Sequence, residues 1–169
     1  MITIRPATQA DFDTLPVIEM DAGQELAKFG LQSVADMPAS PPEYYKQLPG
    51  LSVVFLACTG EQVVGFVICL VVDGQAHLKE LSVMRCHMKK GIGRRLVATS
   101  IEWAKAKNFQ WLTLTTYRDI PFNAPFYLSL GFTSFETGET WPCLSSIREN
   151  EKKTGLDIKA RVCMRLSLS

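Results

Sequence analysis

The chain has 169 residues, 47% hydrophobic and 21% charged, which suits one domain with a core large enough to fold alone. Its 18 Lys+Arg stand against 17 Asp+Glu, a formal net charge of +1. That balance gives no reason to expect nucleic acid or an anionic membrane as partner, so any anion site must come from local clustering.

Ile2 to Arg5 reads as a short strand. Thr8 offers an N-cap with Asp11 three residues on. Leu15, Ile18, Ala22 and Leu26 follow at helical spacing, which predicts a helix to about Phe29 stopped by Gly30, with Pro16 kinking its first turns. Residues 31–41 read as loop, and Glu43 to Leu48 as a short helix. Leu51 to Cys58 is an apolar, β-branched strand. Gln62 to Val72 is a second strand, apolar nearly throughout and so expected to be buried on both faces. Asp73-Gly74 signals a hairpin into a third strand, Ala76 to Met84. Gly91 to Lys107 reads as a helix with Ile92, Leu96, Thr99 and Trp103 on its inner stripe and Asn108 as a left-handed stop. Trp111 to Thr116 is a strand, Ala124 to Leu130 a short helix ended by Gly131, and Phe132 to Phe135 another strand. Leu144 to Thr154 is helix-capable, and Ala160 to Leu168 closes as a strand that can pair across a homodimer. Three hairpin-linked strands followed by strand-helix-strand imply an α/β (α+β) protein: one mixed sheet flanked by helices, in a single domain spanning 1–169.

The five cysteines are odd in number and form no C-x-x-C pair, and the two histidines complete no zinc-spaced cluster. These features predict free thiols, no metal and a reducing, cytoplasmic setting. Met1 to Arg5 lacks the apolar region of a signal peptide, and the most apolar run, Val63 to Val72, is far too short to span a bilayer.

Lys89-Lys90-Gly91-Ile92-Gly93-Arg94 sits between a strand and a helix. A helix N-terminus offers unpaired N–H groups and partial positive charge, and glycines let a pyrophosphate approach the backbone. Lys89, Lys90, Arg94 and Arg95 add cationic reach. The competing reading is a glycine-rich turn with solvated basic side chains. A P-loop is excluded, since Gly91 and Gly93 are too close and no Lys-Ser/Thr follows. A dinucleotide fingerprint is excluded by Leu96, where a third glycine or alanine belongs.

What remains resembles the GNAT superfamily of N-acetyltransferases. Its motif [Q/R]-x-x-G-x-[G/A] reads here Met88-Lys89-Lys90-Gly91-Ile92-Gly93. Leu78-Lys79-Glu80-Leu81-Ser82-Val83 looks like the acyl-CoA-binding strand, and Asn123-Ala124-Pro125-Phe126-Tyr127-Leu128-Ser129-Leu130-Gly131-Phe132 like the [NA]-x-x-x-Y-x-x-x-G-F segment. The resemblance implies a GNAT-like acyl-CoA N-acyltransferase fold with acetyl-CoA as cosubstrate. It implies contacts to that cosubstrate from Leu81, Ser82, Val83, Met88, Lys89, Lys90, Gly91, Ile92, Gly93, Arg94 and Asn123. Met88 stands where Gln or Arg is usual. Asn123 lies four residues before Tyr127, where many members place it seven before, so it can instead hold the turn after Pro121.

Direct transfer needs a neutral amine, a polarised thioester carbonyl and a protonated leaving thiolate. An alkylamine has a pKa near ~10.4 and must lose a proton first. Glu80 is the base candidate, against a plain strand carboxylate or one paired with Lys79 or Arg118. The resemblance implies that the N–H of Leu81 polarises the carbonyl and that Tyr127 protonates the thiolate. Cys86 and His87 read as loop residues. Thr115 to Asp119 ends a strand of the kind that lines pockets, with Arg118 either on a substrate carboxylate or on Asp119. Glu19, Asp21, Glu25 and Asp36 can attract a cationic amine or simply form a solvated helical face. The expected activity is acetylation of a small-molecule primary amine in a ternary complex. The alternatives are a non-catalytic acyl-CoA-binding sensor and acetylation of a protein amine.

Overall fold

The computed structural model describes all 169 residues. The strands are β1 (Ile2–Pro6), β2 (Val53–Thr59), β3 (Gln62–Val72), β4 (Gln75–Val83), β5 (Trp111–Tyr117), β6 (Thr133–Phe135) and β7 (Arg161–Ser167). The helices are α1 (Leu15–Gly23), α2 (Gln32–Ala35), α3 (Pro42–Lys46), α4 (Ile92–Ala106), α5 (Ala124–Ser129) and α6 (Pro142–Lys153). The seven strands form one sheet in the order β1-β2-β3-β4-β5-β7-β6. Two compact units are distinguished, one of residues 1–70 and 78–103, the other of 71–77 and 104–169.

In the first unit, β1 and β2 pair antiparallel from Ile2 opposite Thr59 to Pro6 opposite Phe55. β2 continues antiparallel onto β3, with a bulge at Ala57/Cys58. Val63 to Cys69 are buried without a break, as a strand covered on both faces must be. The core gathers Leu15 and Ile18 of α1 and Tyr45 of α3 against Leu56, Phe66 and Ile68 of the sheet.

The entry to α1 differs from the sequence reading. Thr8 and Asp11 do form a capping box, with the Thr8 N–H donating to Asp11 Oδ2 at 2.8 Å, but it caps a single 3-10 turn, Gln9–Asp11. The α-helix begins only at Leu15, and Pro16 sits in its first turn, where its missing N–H removes nothing. Pro16 therefore starts the helix and does not kink it. A 3-10 segment, Gln24–Phe29, continues α1 to Gly30, which ends it at φ 75°. Residues 31–41 are not all loop, since Gln32–Ala35 forms one helical turn.

In the second unit, β4 pairs with β5 in parallel through Ala76 opposite Leu112 and His77 opposite Thr113. Asp73 and Gly74 both take positive φ, 52° and 72°, as a tight two-residue hairpin requires. β7 lies between β5 and β6 and is antiparallel to both. Cys163 to Arg165 of β7 are therefore paired on both edges within the chain. Trp141, Leu144, Val72 and Cys163 form the core of this unit. Arg165 lies over the Trp111 and Phe135 rings at 4.3 and 4.6 Å.

The inner stripe of α4 is Ile92, Leu96, Val97, Ser100 and Ala104, while Thr99 and Trp103 are only half-buried. Asn108 ends the helix at φ 62°. No helix is long and apolar enough to cross a membrane.

One glycine fixes how closely β3 and β4 approach. A Cβ on Gly65 would stand 3.0 Å from the Ser82 carbonyl oxygen and 3.3 Å from Val83 Cγ2. Gly65→Ala is expected to destabilise the protein by about 1–3 kcal/mol, because the obstacle is backbone that cannot rotate away. Urea unfolding measures this, and an unchanged midpoint would mean that the strands separate freely.

Candidate active site

β4 carries Lys79, Leu81 and Val83 on one face and Glu80 and Ser82 on the other, by the period of two of a strand. The Ser82 hydroxyl donates to Glu80 Oε1 at 2.7 Å, which fixes the carboxylate of Glu80 along its own strand. Neither alternative ion pair forms. Lys79 sits over the Tyr44 ring at 5.4 Å, and Arg118 makes a forked pair with Asp119 at 2.9–3.2 Å. Both members of that forked pair are exposed, so Arg118 is committed to its neighbour.

After Val83 the chain turns through a 3-10 segment, Arg85–His87, that holds Cys86 and His87 as loop residues. The Met84 N–H donates to the Val64 carbonyl at 2.9 Å and ends the strand. Asp21 of α1 accepts from the Arg85 N–H at 2.7 Å and from its guanidinium at 3.2 Å. α1 is thereby clamped to the root of the glycine loop. A cavity of about 480 Å³ opens here, lined by Asp21, Lys28, Met84, Arg85, Met88 and Lys89.

Lys89 and Gly91 are left-handed, with φ 60° and 80°. For Lys89 this conformation is uncommon and is kept only where the surroundings impose it. It turns the chain so that α4 starts at Ile92. The Arg95 N–H bonds the Gly91 carbonyl at 3.1 Å, closing the first turn. The N–H groups of Ile92 and Gly93 have no acceptor inside the helix and sit at the positive end of its dipole. Space above Gly91 is open, with nothing within 4 Å of where a Cβ would lie.

Lys90 and Arg95 both make contacts within the protein. Lys90 Nζ donates to the Cys86 carbonyl at 3.0 Å and braces the turn. Arg95 donates to the Ile2 carbonyl at 2.7 Å and ties α4 to β1. Lys89 is exposed on the loop and Arg94 in the first turn of α4.

In the second unit, Asn123 precedes α5. Its N–H bonds the Ile120 carbonyl at 2.9 Å and its carbonyl accepts from Tyr127 at 3.1 Å. The backbone of Asn123 thus holds the turn after Pro121. Its side-chain Oδ1 is buried without a hydrogen-bond partner. A buried acceptor left bare is costly, and a ligand N–H would satisfy it. Tyr127 is 6% exposed, edge-on to Phe126 and Phe132 at 5.1 and 5.5 Å.

The polar groups at the end of β5 are bonded to α6 and the segment after it. The Thr115 hydroxyl donates to Glu151 Oε2 at 2.6 Å and the Tyr117 hydroxyl to the Leu156 carbonyl at 2.8 Å. Arg161 stacks on Tyr117 at 4.4 Å and reaches Glu151 at 3.2 Å, while Arg148 joins Glu151 to Asp157. These groups anchor α6.

The acidic face of α1 also differs from expectation. Asp21 pairs with Arg85, Glu25 with Lys28 at 2.7 Å, and Asp36 accepts from Gln32 at 2.8 Å. Glu19 alone turns inward. Its Oε2 accepts from the Ser40 N–H at 3.2 Å and faces the Tyr45 hydroxyl at 3.5 Å. Burial, and then the charge of Glu80, push the Glu19 carboxyl up to about 7. Sequence reasoning placed Glu19 among solvated carboxylates. The one available signal was its position one residue after the core residue Ile18.

A glycine-opened helix beside a carboxylate-bearing strand, on a mixed seven-stranded sheet, defines an acyl-transfer fold. The pattern of the acetyltransferase (GNAT) family matches residues 23–132. The chain belongs to this family and is an acyltransferase. Among solved structures it is similar to the ribosomal-protein-S18-alanine N-acetyltransferase of Escherichia coli. That match has a TM-score of 0.72 at 19% identity, over 100% of this chain and 95% of that one. An acetyltransferase of the GNAT family from Staphylococcus aureus Mu50 gives 0.76 at 15% identity over 100% of both chains. The PaiA N-acetyltransferase of Thermoplasma acidophilum, solved in complex with coenzyme A, gives 0.65 at 16% identity over 99% of both. At these identities the likeness establishes the fold.

Proposed function

We propose that residues 1–169 act as one N-acetyltransferase domain that moves the acetyl group of acetyl-CoA to the primary amine of a small molecule. Transfer is direct, with both substrates bound. The observation that carries this reading is the turn with left-handed Lys89 and Gly91 that leads into the N-terminus of α4, with open space beside Gly91. A pyrophosphate seated there takes charge-assisted hydrogen bonds from the backbone. Lys89 and Arg94 supply the side-chain charge, and Lys90 serves by bracing the loop. Met88 contributes through its backbone and one cavity wall. The bare Oδ1 of Asn123 suits an amide N–H of the pantetheine arm.

Acetyl-CoA supplies an activated thioester. The chain supplies the Leu81 N–H for its carbonyl oxygen, with Ser82 and Val83 along the same strand. Tyr127 protonates the departing thiolate, and the Glu80 side of β4 receives the amine. A small acceptor fits the half-buried carboxylates Glu80 and Glu19 better than an exposed protein surface does. The fold relationship to an enzyme that acetylates a ribosomal protein makes peptides a necessary arm of the test.

The test is release of free CoA thiol from acetyl-CoA with polyamines, amino acids, other small amines and peptides. Turnover is expected with a small amine. Turnover confined to peptides would move the acceptor to a protein. Tight acetyl-CoA binding without any turnover would make the chain a sensor.

A further inference from the structure

Resting on this acetyl-transfer reading, we infer that Glu19 of α1 is a catalytic residue: it takes the proton of the acceptor ammonium directly.

Three features of the first unit converge on Glu19. It is fixed. Its Oε2 accepts from the Ser40 N–H at 3.2 Å and faces the Tyr45 hydroxyl at 3.5 Å. Tyr45 is itself packed in the core, 3% exposed, stacked on Phe12 at 5.6 Å and edge-on to Phe66 at 6.2 Å. Both of these contacts are made by Oε2, and Oε1 takes part in neither.

It is also uncompensated. Asp21 on the same helix and Glu25 in the 3-10 segment after it have Arg85 and Lys28, whereas neither Glu19 nor Glu80 makes a salt bridge. The nearest cation, Lys79, rests on the Tyr44 ring. Two half-buried carboxylates without a counter-ion favour an incoming ammonium.

Finally, it is matched to the task. Glu19 meets Tyr45 from α3 and the Ser40 N–H directly, and Glu80 and Lys79 of β4 act on it through their charges. Burial is the largest influence and Glu80 the second, and both raise its carboxyl. The Ser40 bond, Lys79 and Tyr45 oppose them, leaving a value of about 7. A base near the working pH is the effective one.

The protons balance as follows. An alkylammonium loses one N–H proton to Glu19 Oε1. The freed lone pair forms the C–N bond at the thioester carbonyl carbon, and the C–S bond breaks with its electron pair on sulfur. The thiolate takes a proton from Tyr127, which recovers one from the nitrogen as the amide forms. Glu19 then returns its proton to water, so each turnover releases one.

The experiment has two readouts. The first is kcat/KM from pH 5.5 to 9 for the wild type, Glu19→Gln, Glu19→Asp and Glu80→Gln, with the amine that the panel gives. The second is carbon-13 carboxyl titration of the same proteins without substrate. The wild type should lose rate as pH falls through about 7. Glu19→Gln should lower kcat/KM by about 100-fold or more and erase that limb, with Glu19→Asp recovering part of the rate. Glu80→Gln should keep the limb and move it to lower pH, and the Glu19 carboxyl should move with it in the free protein. Glu19→Gln with a wild-type rate and limb overturns the assignment. So does a Glu19 carboxyl that titrates with ordinary glutamates, a result that needs no activity and no Glu19 variant. Absence of thiol release from the wild type with every amine would instead overturn the acetyl-transfer reading.

Discussion

Tyr127→Phe is expected to lower kcat by about 100-fold or more, within the range that a positioned general acid contributes, and to leave acetyl-CoA affinity nearly unchanged. The substitution keeps the ring. Tyr127 packs edge-on to Phe126 and Phe132, and its backbone N–H holds the Asn123 carbonyl. A phenylalanine preserves all of these contacts, so the turn before α5 should stay in place. What disappears is one hydroxyl. A CoA-type thiol with a pKa of roughly 8.5 leaves as an anion unless a proton arrives with it, and the phenol supplies that proton. The change should fall on kcat and kcat/KM together, the mark of an interaction made only in the transition state. Steady-state kinetics beside acetyl-CoA titration calorimetry separates the cases. A variant with wild-type kcat would remove Tyr127 from the acid role, and one that loses affinity as well would make it a binding residue.

Gly91→Val should act on the other half of the cycle. It is expected to weaken acetyl-CoA binding by about 100-fold, with two or three kcal/mol lost from strain and donors that turn away. Gly91 holds φ 80°, a region that a β-branched residue resists. Nothing lies within 4 Å of its missing Cβ. A valine therefore meets no protein atom, and its bulk enters the space proposed for the pyrophosphate. The loop can escape the strain only by rotating, which swings the N–H groups of Ile92 and Gly93 off their aim. Gly91→Ala should show a smaller loss of the same kind. Titration of acetyl-CoA against both variants, with thermal unfolding as control, reads the effect. Wild-type affinity in a folded Gly91→Val protein would show that the phosphates bind elsewhere.

The sequence made the glycine loop legible because backbone requirements leave marks on composition. Only small or left-handed-tolerant residues suit positions such as Gly30, Gly74, Gly91 and Asn108, and each takes positive φ. β3 was equally plain, since a strand covered on both faces has no polar alternation to blur. Side-chain partnerships were less legible. Lys90 and Arg95 look like phosphate ligands in a basic loop, yet each donates to a carbonyl distant or adjacent in the chain. Thr115 and Tyr117 look like pocket residues, yet their hydroxyls are bound to α6 and the segment after it. Glu19 lies on a helix with little amphipathic contrast, so nothing in the spacing shows that it points at Tyr45. Long-range contact decides each case. The same applies to Pro16, whose place in the first turn of α1 depended on where the preceding 3-10 turn ended.

The position of β7 bears on how the protein is made. β5 and β6 are synthesised before the strand that must lie between them. Until Arg161 to Ser167 arrive, the flank of β5 that faces β7 carries unsatisfied backbone groups, open to any passing strand. Nascent chains stalled before this segment should bind holdase chaperones, and should be released within seconds once it clears the exit tunnel.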